Sequence, residues 1–121
     1  MTETQNLKHY DLEERTLKFA GRIRIFVREV PKTIANNEDG KQLIRSTGSV
    51  GANYIEANES LSKKDFAMRI KISRKEAKES IFWLNLIDTN SNSKLDTERN
   101  WLLGEATELM KILSSIMRKC E

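Results

Sequence analysis

Cysteine, proline, glycine and histidine are scarce in this chain, and each shortage excludes something. One proline and five glycines in 121 residues disfavour a strand-rich fold with many tight turns. A single cysteine, Cys120, excludes an intramolecular disulfide and a cysteine-based zinc site within one chain, and it fits a reducing compartment. The single histidine, His9, lies in a polar N-terminal segment, where we expect a solvent-exposed side chain rather than a ligand or a proton shuttle.

Long apolar runs are also missing. The first ten residues are polar, unlike a signal peptide, and the longest apolar run, residues 81–84, is far too short to cross a bilayer. Hydrophobic residues make up 38% of the chain, which suffices for one modest core. We therefore expect a cytoplasmic protein with one domain over residues 1–121, in which residues 1–10 form a polar tail, and with no membrane partner.

Apolar residues recur at helical spacing in four segments, of which the first two lie in the N-terminal half. Asp11 and Glu14 are spaced like a capping box at the start of the first helix, and Pro31 ends it. The polar run over residues 36–40 is predicted to link this helix to the second.

The third and fourth helices have clearer boundaries. The third begins at a cap on Ser62 and is predicted to run to about Thr89. A polar loop over residues 90–93 follows, after which Asp96 or Thr97 can cap the fourth helix. Because each apolar stripe must be buried against another helix, the pattern predicts an all-α, antiparallel up-and-down four-helix bundle.

Two glycines interrupt the apolar stripe of the second helix. Gly48 and Gly51 each weaken a helix by about 1 kcal/mol relative to alanine. One interpretation is that they let a neighbouring helix approach closely. The alternative is that the helix begins later, with Ser46 or Ser49 as its cap.

The third helix has two apolar sectors when its side chains are placed at 100° per residue. The core sector consists of Phe66, Ile70, Ser73, Ala77, Ser80, Ile81 and Leu84. A second sector on nearly the opposite side consists of Met68, Ile72, Glu76, Glu79, Trp83 and Leu86. Apolar side chains that face away from the core are costly in water, so we interpret the second sector as a subunit interface. The alternative is a wide core-flanking stripe that loops cover.

A third sector of the same helix is basic, although the net charge of the chain is only +3. It consists of Lys64, Lys71, Arg74, Lys75 and Lys78. Like charges one turn apart repel by roughly a few tenths of a kcal/mol per pair, so we expect a compensating partner. One alternative is a solvated face paired with acids such as Glu79 or with acids of a neighbouring subunit. The other is a contact surface for nucleic-acid phosphates, which Arg22 on the first helix would enlarge.

Motifs for catalysis, metal binding and base recognition are absent from the sequence. Glu-x-x-Glu repeats at residues 56–59, 76–79 and 105–108, but the Glu-x-x-His pairs of a di-iron bundle are missing. No general base accompanies a nucleophile in a recognisable motif. We therefore expect no enzyme activity, no metal and no cofactor, and carboxylates that form ion pairs at an interface. Without an aromatic RNP pair or a GXXG loop, any nucleic-acid binding should follow backbone and shape rather than base sequence.

Three runs of the sequence resemble a known family. Residues 46–57 (STGSVGANYIEA), 65–66 (DF) and 73–84 (SRKEAKESIFWL) look like the bacterial four-helix-bundle proteins encoded in 23S rRNA intervening sequences. The likeness covers about residues 12–118. It implies a ring-shaped homopentamer, similar to the accessory protein of diversity-generating retroelements, a basic pentamer that binds nucleic acid and a reverse transcriptase. The resemblance also implies that residues 53–56 and 76–79 serve helix packing and the interface, and it implies no catalytic residue.

Two functions remain open from the sequence. The first is a non-enzymatic homo-oligomeric bundle that binds RNA or DNA backbone through basic helix faces. The second is a protein-interaction scaffold or adaptor with no role in nucleic-acid binding.

Overall fold

Four helices form the fold. The computed structural model describes the backbone of residues 2–120 and the side chains of residues 12–120. The helices are α1 (Thr2–Glu29), α2 (Ile34–Asn58), α3 (Lys63–Leu86) and α4 (Ser93–Lys119). Consecutive helices pack against each other, and α1 also packs against α4. These contacts confirm the predicted four-helix bundle over the described residues. None of the helices described is long and apolar enough to span a membrane.

Helix α1 confirms the helical spacing of apolar residues in the first segment but not the predicted start. It begins at Thr2, so the capping box at Asp11 and Glu14 is wrong as a helix start, and the helix includes most of the expected tail. The side chains of residues 1–11, including that of His9, lie outside the described part of the chain. The helix ends at Glu29, shortly before proline. Its buried residues are Leu12, Thr16, Phe19, Ala20, Ile23 and Phe26, and Val30, just after the helix, is buried as well.

The polar run predicted as a linker instead forms the first turns of α2. The Thr33 hydroxyl caps this helix and accepts from the Asn36 amide at 3.0 Å. Asn36 is buried, and its side chain donates to the carbonyls of Pro31 at 3.0 Å and Asp88 at 2.8 Å. Its Oδ1 accepts from the Asp88 amide at 2.9 Å. The linker prediction is wrong because these hydrogen bonds satisfy a polar residue inside the fold.

Helix α3 begins where the sequence predicts. The Ser62 Oγ accepts from the Asp65 amide at 3.1 Å, which confirms the predicted cap. The helix ends at Leu86, before the predicted end at Thr89.

Helix α4 begins earlier than predicted. Asn92, rather than Asp96 or Thr97, is its cap, and the Asn92 Oδ1 accepts from the Leu95 amide at 3.1 Å. Asp96 instead accepts a hydrogen bond from the Thr89 hydroxyl at 2.5 Å. Asp96 therefore lies inside the first turn of α4 and contacts the preceding loop instead of capping the helix.

The two glycines of α2 have different surroundings. A Cβ built on Gly51 would lie 2.8 Å from Thr16 Oγ1 and 3.1 Å from Thr16 Cβ on α1, which confirms a close helix approach at this position. A Cβ built on Gly48 would meet Arg24 Nη2 at 3.7 Å, an ordinary contact. Packing therefore explains Gly51 and not Gly48. Because α2 runs unbroken through both residues, the alternative of a later helix start is wrong.

Candidate nucleic-acid interface on helix α3

Small hydroxyl side chains set how α3 lies against α2. The Ser73 Oγ donates to the Val50 carbonyl at 2.6 Å, and the Ser46 and Ser80 hydroxyl oxygens are 2.9 Å apart. All three serines are buried. Because small residues line this contact, the larger and charged side chains of α3 lie at its edges, away from the serine seam.

The two glutamates of the second sector pair within the chain. Arg45 on α2 donates from Nη1 to Glu76 Oε2 at 3.2 Å and from Nη2 to Glu79 Oε1 at 2.5 Å. The Trp83 indole N–H also donates to Glu79 Oε1, at 3.1 Å. Glu76 and Glu79 therefore have a cationic partner within the chain, and their place in a subunit interface stays a prediction. Sequence reasoning missed Arg45 because it lies 31 and 34 residues before its partners, where no helical spacing connects them.

These contacts shift the ionisation of both partners. The hydrogen bond from Trp83, together with the charge of Arg45, holds the pKa of the Glu79 carboxyl below its ordinary value. The hydrogen bond with Glu76 raises the pKa of the Arg45 guanidinium. Glu76 is only 8% exposed, so it depends on Arg45 for its counter-charge.

The apolar members of the second sector differ in exposure. Met68 and Leu86 are each 50% exposed. Ile72 and Trp83 are partly buried, and Trp83 packs against the core. The exposed apolar surface is therefore concentrated at the two ends of this sector. Its role as a subunit interface stays a prediction.

Five cations, Lys64, Lys71, Arg74, Lys75 and Lys78, form what we call the basic row. Its four lysines are exposed and Arg74 is partly buried. Among the described residues, no side chain of the row forms a hydrogen bond or an ion pair. A groove of about 380 Å³ lies between α3 and α4 and is lined by Lys71, Arg74, Lys75, Lys78, Met110 and Ser114. The row is thus a cationic surface with one concave side.

Glu105 and Glu79 both have arginine partners. Glu105 binds Arg15 through two contacts of 2.7 and 2.8 Å. Glu79, the acid expected to neutralise the basic row, is bound by Arg45. Within the described chain the row therefore does not pair with Glu79, and its like charges have no ion-pair partner there. Pairing with acids of a neighbouring subunit stays an open alternative.

Arg22 does not extend the basic row. It lies on α1, which does not contact α3 within the described residues. Its Nε and Nη2 donate to Glu98 on α4 at 2.6 and 2.9 Å, and its guanidinium carbon lies 3.6 Å from the centre of the Trp101 ring. The hydrogen bond with Glu98 raises the pKa of Arg22. Arg22 therefore joins α1 to α4.

No metal centre is visible in the side chains of residues 12–120. No three histidine, cysteine or acidic residues in this range come together as a set of metal ligands. The glutamates of the 76–79 pair bind Arg45, and Glu105 binds Arg15, so these carboxylates have cationic partners.

The described residues form a helical bundle in which the basic row gives α3 a cationic edge without an acidic partner. The chain belongs to the 23S rRNA-intervening sequence protein family, whose model matches residues 8–115. This membership confirms the resemblance at the level of the family and of the four-helix fold.

A solved structure is similar to this chain over most of its length. It is the crystal structure of a protein with unknown function from the S23 ribosomal protein family of Bacteroides thetaiotaomicron VPI-5482. The two sequences are 30% identical, the match covers 88% of this chain and 97% of that one, and the TM-score is 0.72. No curated protein matches the chain.

Proposed function

We propose that the protein is a cytoplasmic, non-enzymatic homo-oligomer that binds the backbone of RNA or DNA through the basic row of α3. The observation that carries this proposal is the charge arrangement on one helix. Arg45 binds both Glu76 and Glu79, whereas the five cations of the row have no acidic partner among the side chains of residues 12–120. Nucleic-acid phosphates would relieve the repulsion within the row, and the release of their counterions would favour binding.

The shape and composition of the row suit a phosphate backbone. From Lys64 to Lys78 the row extends about 21 Å, at 1.5 Å per residue, which is long enough to meet several phosphates. The adjoining groove contains no asparagine, glutamine or acidic side chain, the residue types that pair with adenine and cytosine edges. Because the sequence also has no base-recognition motif, we expect binding to depend little on base sequence.

Oligomerisation would multiply this surface. Met68 and Leu86 are half exposed on α3, and burial against a second copy would remove them from water. We include a ring of five subunits in the proposal, as the sequence resemblance to the accessory protein of diversity-generating retroelements, a basic pentamer, implies. A ring would repeat the basic row by symmetry and so bind one nucleic acid at several points.

RNA is the first ligand to test. The family name refers to 23S rRNA intervening sequences, and the similar crystal structure comes from the S23 ribosomal protein family. The test compares binding of short labelled RNA and DNA strands at low salt by the native protein and by the double variant Arg74→Glu/Lys78→Glu. We expect the reversal to abolish most of the binding without changing helix content or sedimentation.

A matched control separates the location of charge from its total. Lys18→Glu/Lys41→Glu makes the same change in net charge at two exposed lysines of α1 and α2, which pair only loosely with Glu14 at 3.5 Å and Glu38 at 4.0 Å. This control should retain most of the binding. Equal losses in the two double variants would show that net charge, and not the basic row, determines binding.

A protein-interaction adaptor is the second candidate. It is favoured by a groove of about 630 Å³ between α1 and α4, where Ile25, Phe26 and Leu95 contribute apolar surface. Ile25 is 51% exposed. If the native protein binds no nucleic acid at low salt, this groove becomes the leading functional surface.

A further inference from the structure

Phe82 lies in line with the basic row, one turn beyond Lys78. At 100° per residue around the helix axis, Phe82 lies within about 40° of four members of the row, Lys64, Lys71, Lys75 and Lys78. Phe82 is 57% exposed, although contact of its apolar ring with water is unfavourable in free energy. The row of cations therefore ends in an accessible aromatic ring.

A chain of contacts holds this ring on one side. The rings of Phe82 and Trp83 meet nearly perpendicularly, at 79°, with their centres 5.0 Å apart. Trp83 is itself fixed by its hydrogen bond to Glu79, and Glu79 by Arg45. More than half of the surface of Phe82 stays exposed in spite of these contacts. An ordered, exposed aromatic side chain is suited to stacking with a planar ligand because little freedom is lost on binding.

We propose that Phe82 is a stacking platform for an unpaired base of a single strand whose phosphates follow the basic row. This inference rests on the proposed function and adds the class of nucleic acid to it. Stacking accepts any base, since each has a π face, and so agrees with a groove that has no asparagine, glutamine or acidic side chain to select adenine or cytosine. The bases of a duplex are already stacked on one another, so a duplex would use the row without Phe82.

The test uses three labelled probes of equal length, each made as RNA and as DNA: a single strand of mixed sequence, the same strand without bases, and a duplex. The native protein should bind the intact strand about tenfold more tightly than the abasic strand, which has the same phosphates. Phe82→Ala should lose this preference and keep the salt dependence of binding. Phe82→Trp should keep both. A preference seen with only one of the two sugars would identify that nucleic acid as the ligand.

Ile25→Ala is the matched control, because it removes a comparably exposed apolar side chain from α1. It should leave the preference for the intact strand unchanged. The inference is overturned if the native protein binds intact and abasic strands equally, or if Phe82→Ala retains the preference. It is also overturned if Phe82→Ala dissociates the oligomer, since Phe82 is then a subunit contact. In each of these cases the basic row can still bind phosphates, whereas failure to bind all three probes rejects the proposed function as well.

Discussion

Arg45 on α2 and Glu79 on α3 form a contact of 2.5 Å that determines which charges of α3 are left over. By engaging the acidic side of α3, Arg45 removes the nearest candidate for neutralising the basic side. One helix therefore has a neutralised edge against α2 and an uncompensated edge toward α4. This division of charge is the physical basis of the proposed interface.

Removal of Arg45 should destabilise the bundle moderately. Arg45→Ala leaves Glu76 nearly buried without a counter-charge, and we expect a loss of about 1 kcal/mol in the free energy of unfolding. The loss should be smaller than the ~3 kcal/mol of a fully buried pair, because the Arg45 side chain is 49% exposed. Urea denaturation measures it. Lys41→Ala, which removes an exposed pair at 4.0 Å, is the control and should change stability little.

Gly51 and Gly48 should respond oppositely to the same substitution. Gly51→Ala places a Cβ against Thr16 and should cost about 1 to 3 kcal/mol. Gly48→Ala has room and should stabilise by up to about 1 kcal/mol through its higher helix propensity. Thermal denaturation gives both signs. Adding Thr16→Ala should partly rescue Gly51→Ala, whereas a melting temperature raised equally by the two glycine variants contradicts the close contact.

Glu79 should make the bundle sensitive to acid. Its pKa in the folded protein lies below the ordinary value of 4.5, so its contribution to stability is complete above pH 4.5 and is lost as the pH falls through the lower, folded value. Urea denaturation of the native protein and of Glu79→Gln at neutral and acidic pH tests this. The native protein should be the more stable at neutral pH, and the difference should shrink in acid. A difference that does not depend on pH contradicts the assignment.

The proposed oligomer should depend on the exposed ends of the second sector. Met68→Gln/Leu86→Gln removes apolar surface at two half-exposed positions and should dissociate the assembly while keeping helix content. These positions are cleaner probes than Trp83, which also packs against the core. Sedimentation velocity distinguishes the species. Ile34→Gln, at a residue 86% exposed on α2, is the control, and a native protein that is monomeric at micromolar concentration contradicts the interface.

Local patterns in the sequence predict much of the fold. Helical spacing identifies the four helices and most of the buried residues. The Ser62 cap could be predicted because its partner, the Asp65 amide, is only three residues away. The start of α2 could not be predicted in this way. The polar character of Asn36 indicates a linker, but its hydrogen-bond partner Asp88 lies 52 residues away, and only the folded chain brings the two together.

The candidate site shows the same division. Spacing on one helix places the cations of the basic row together, but whether they are neutralised depends on Arg45 and Glu79, which lie on different helices. Arg22 illustrates the opposite error. Its charge suggests a contribution to the basic surface, whereas its side chain contacts Glu98 and Trp101 of α4 and so lies between α1 and α4.

The salt dependence of nucleic-acid binding tests the central claim most directly. For the native protein, the logarithm of the binding constant should fall linearly with the logarithm of salt concentration, by about 0.7 to 0.9 per phosphate neutralised. In Arg74→Gln/Lys78→Gln the slope should be shallower by about that amount for each cation removed. If the native protein fails to bind at low salt, or if the two slopes are the same, the basic row of α3 is not the nucleic-acid interface.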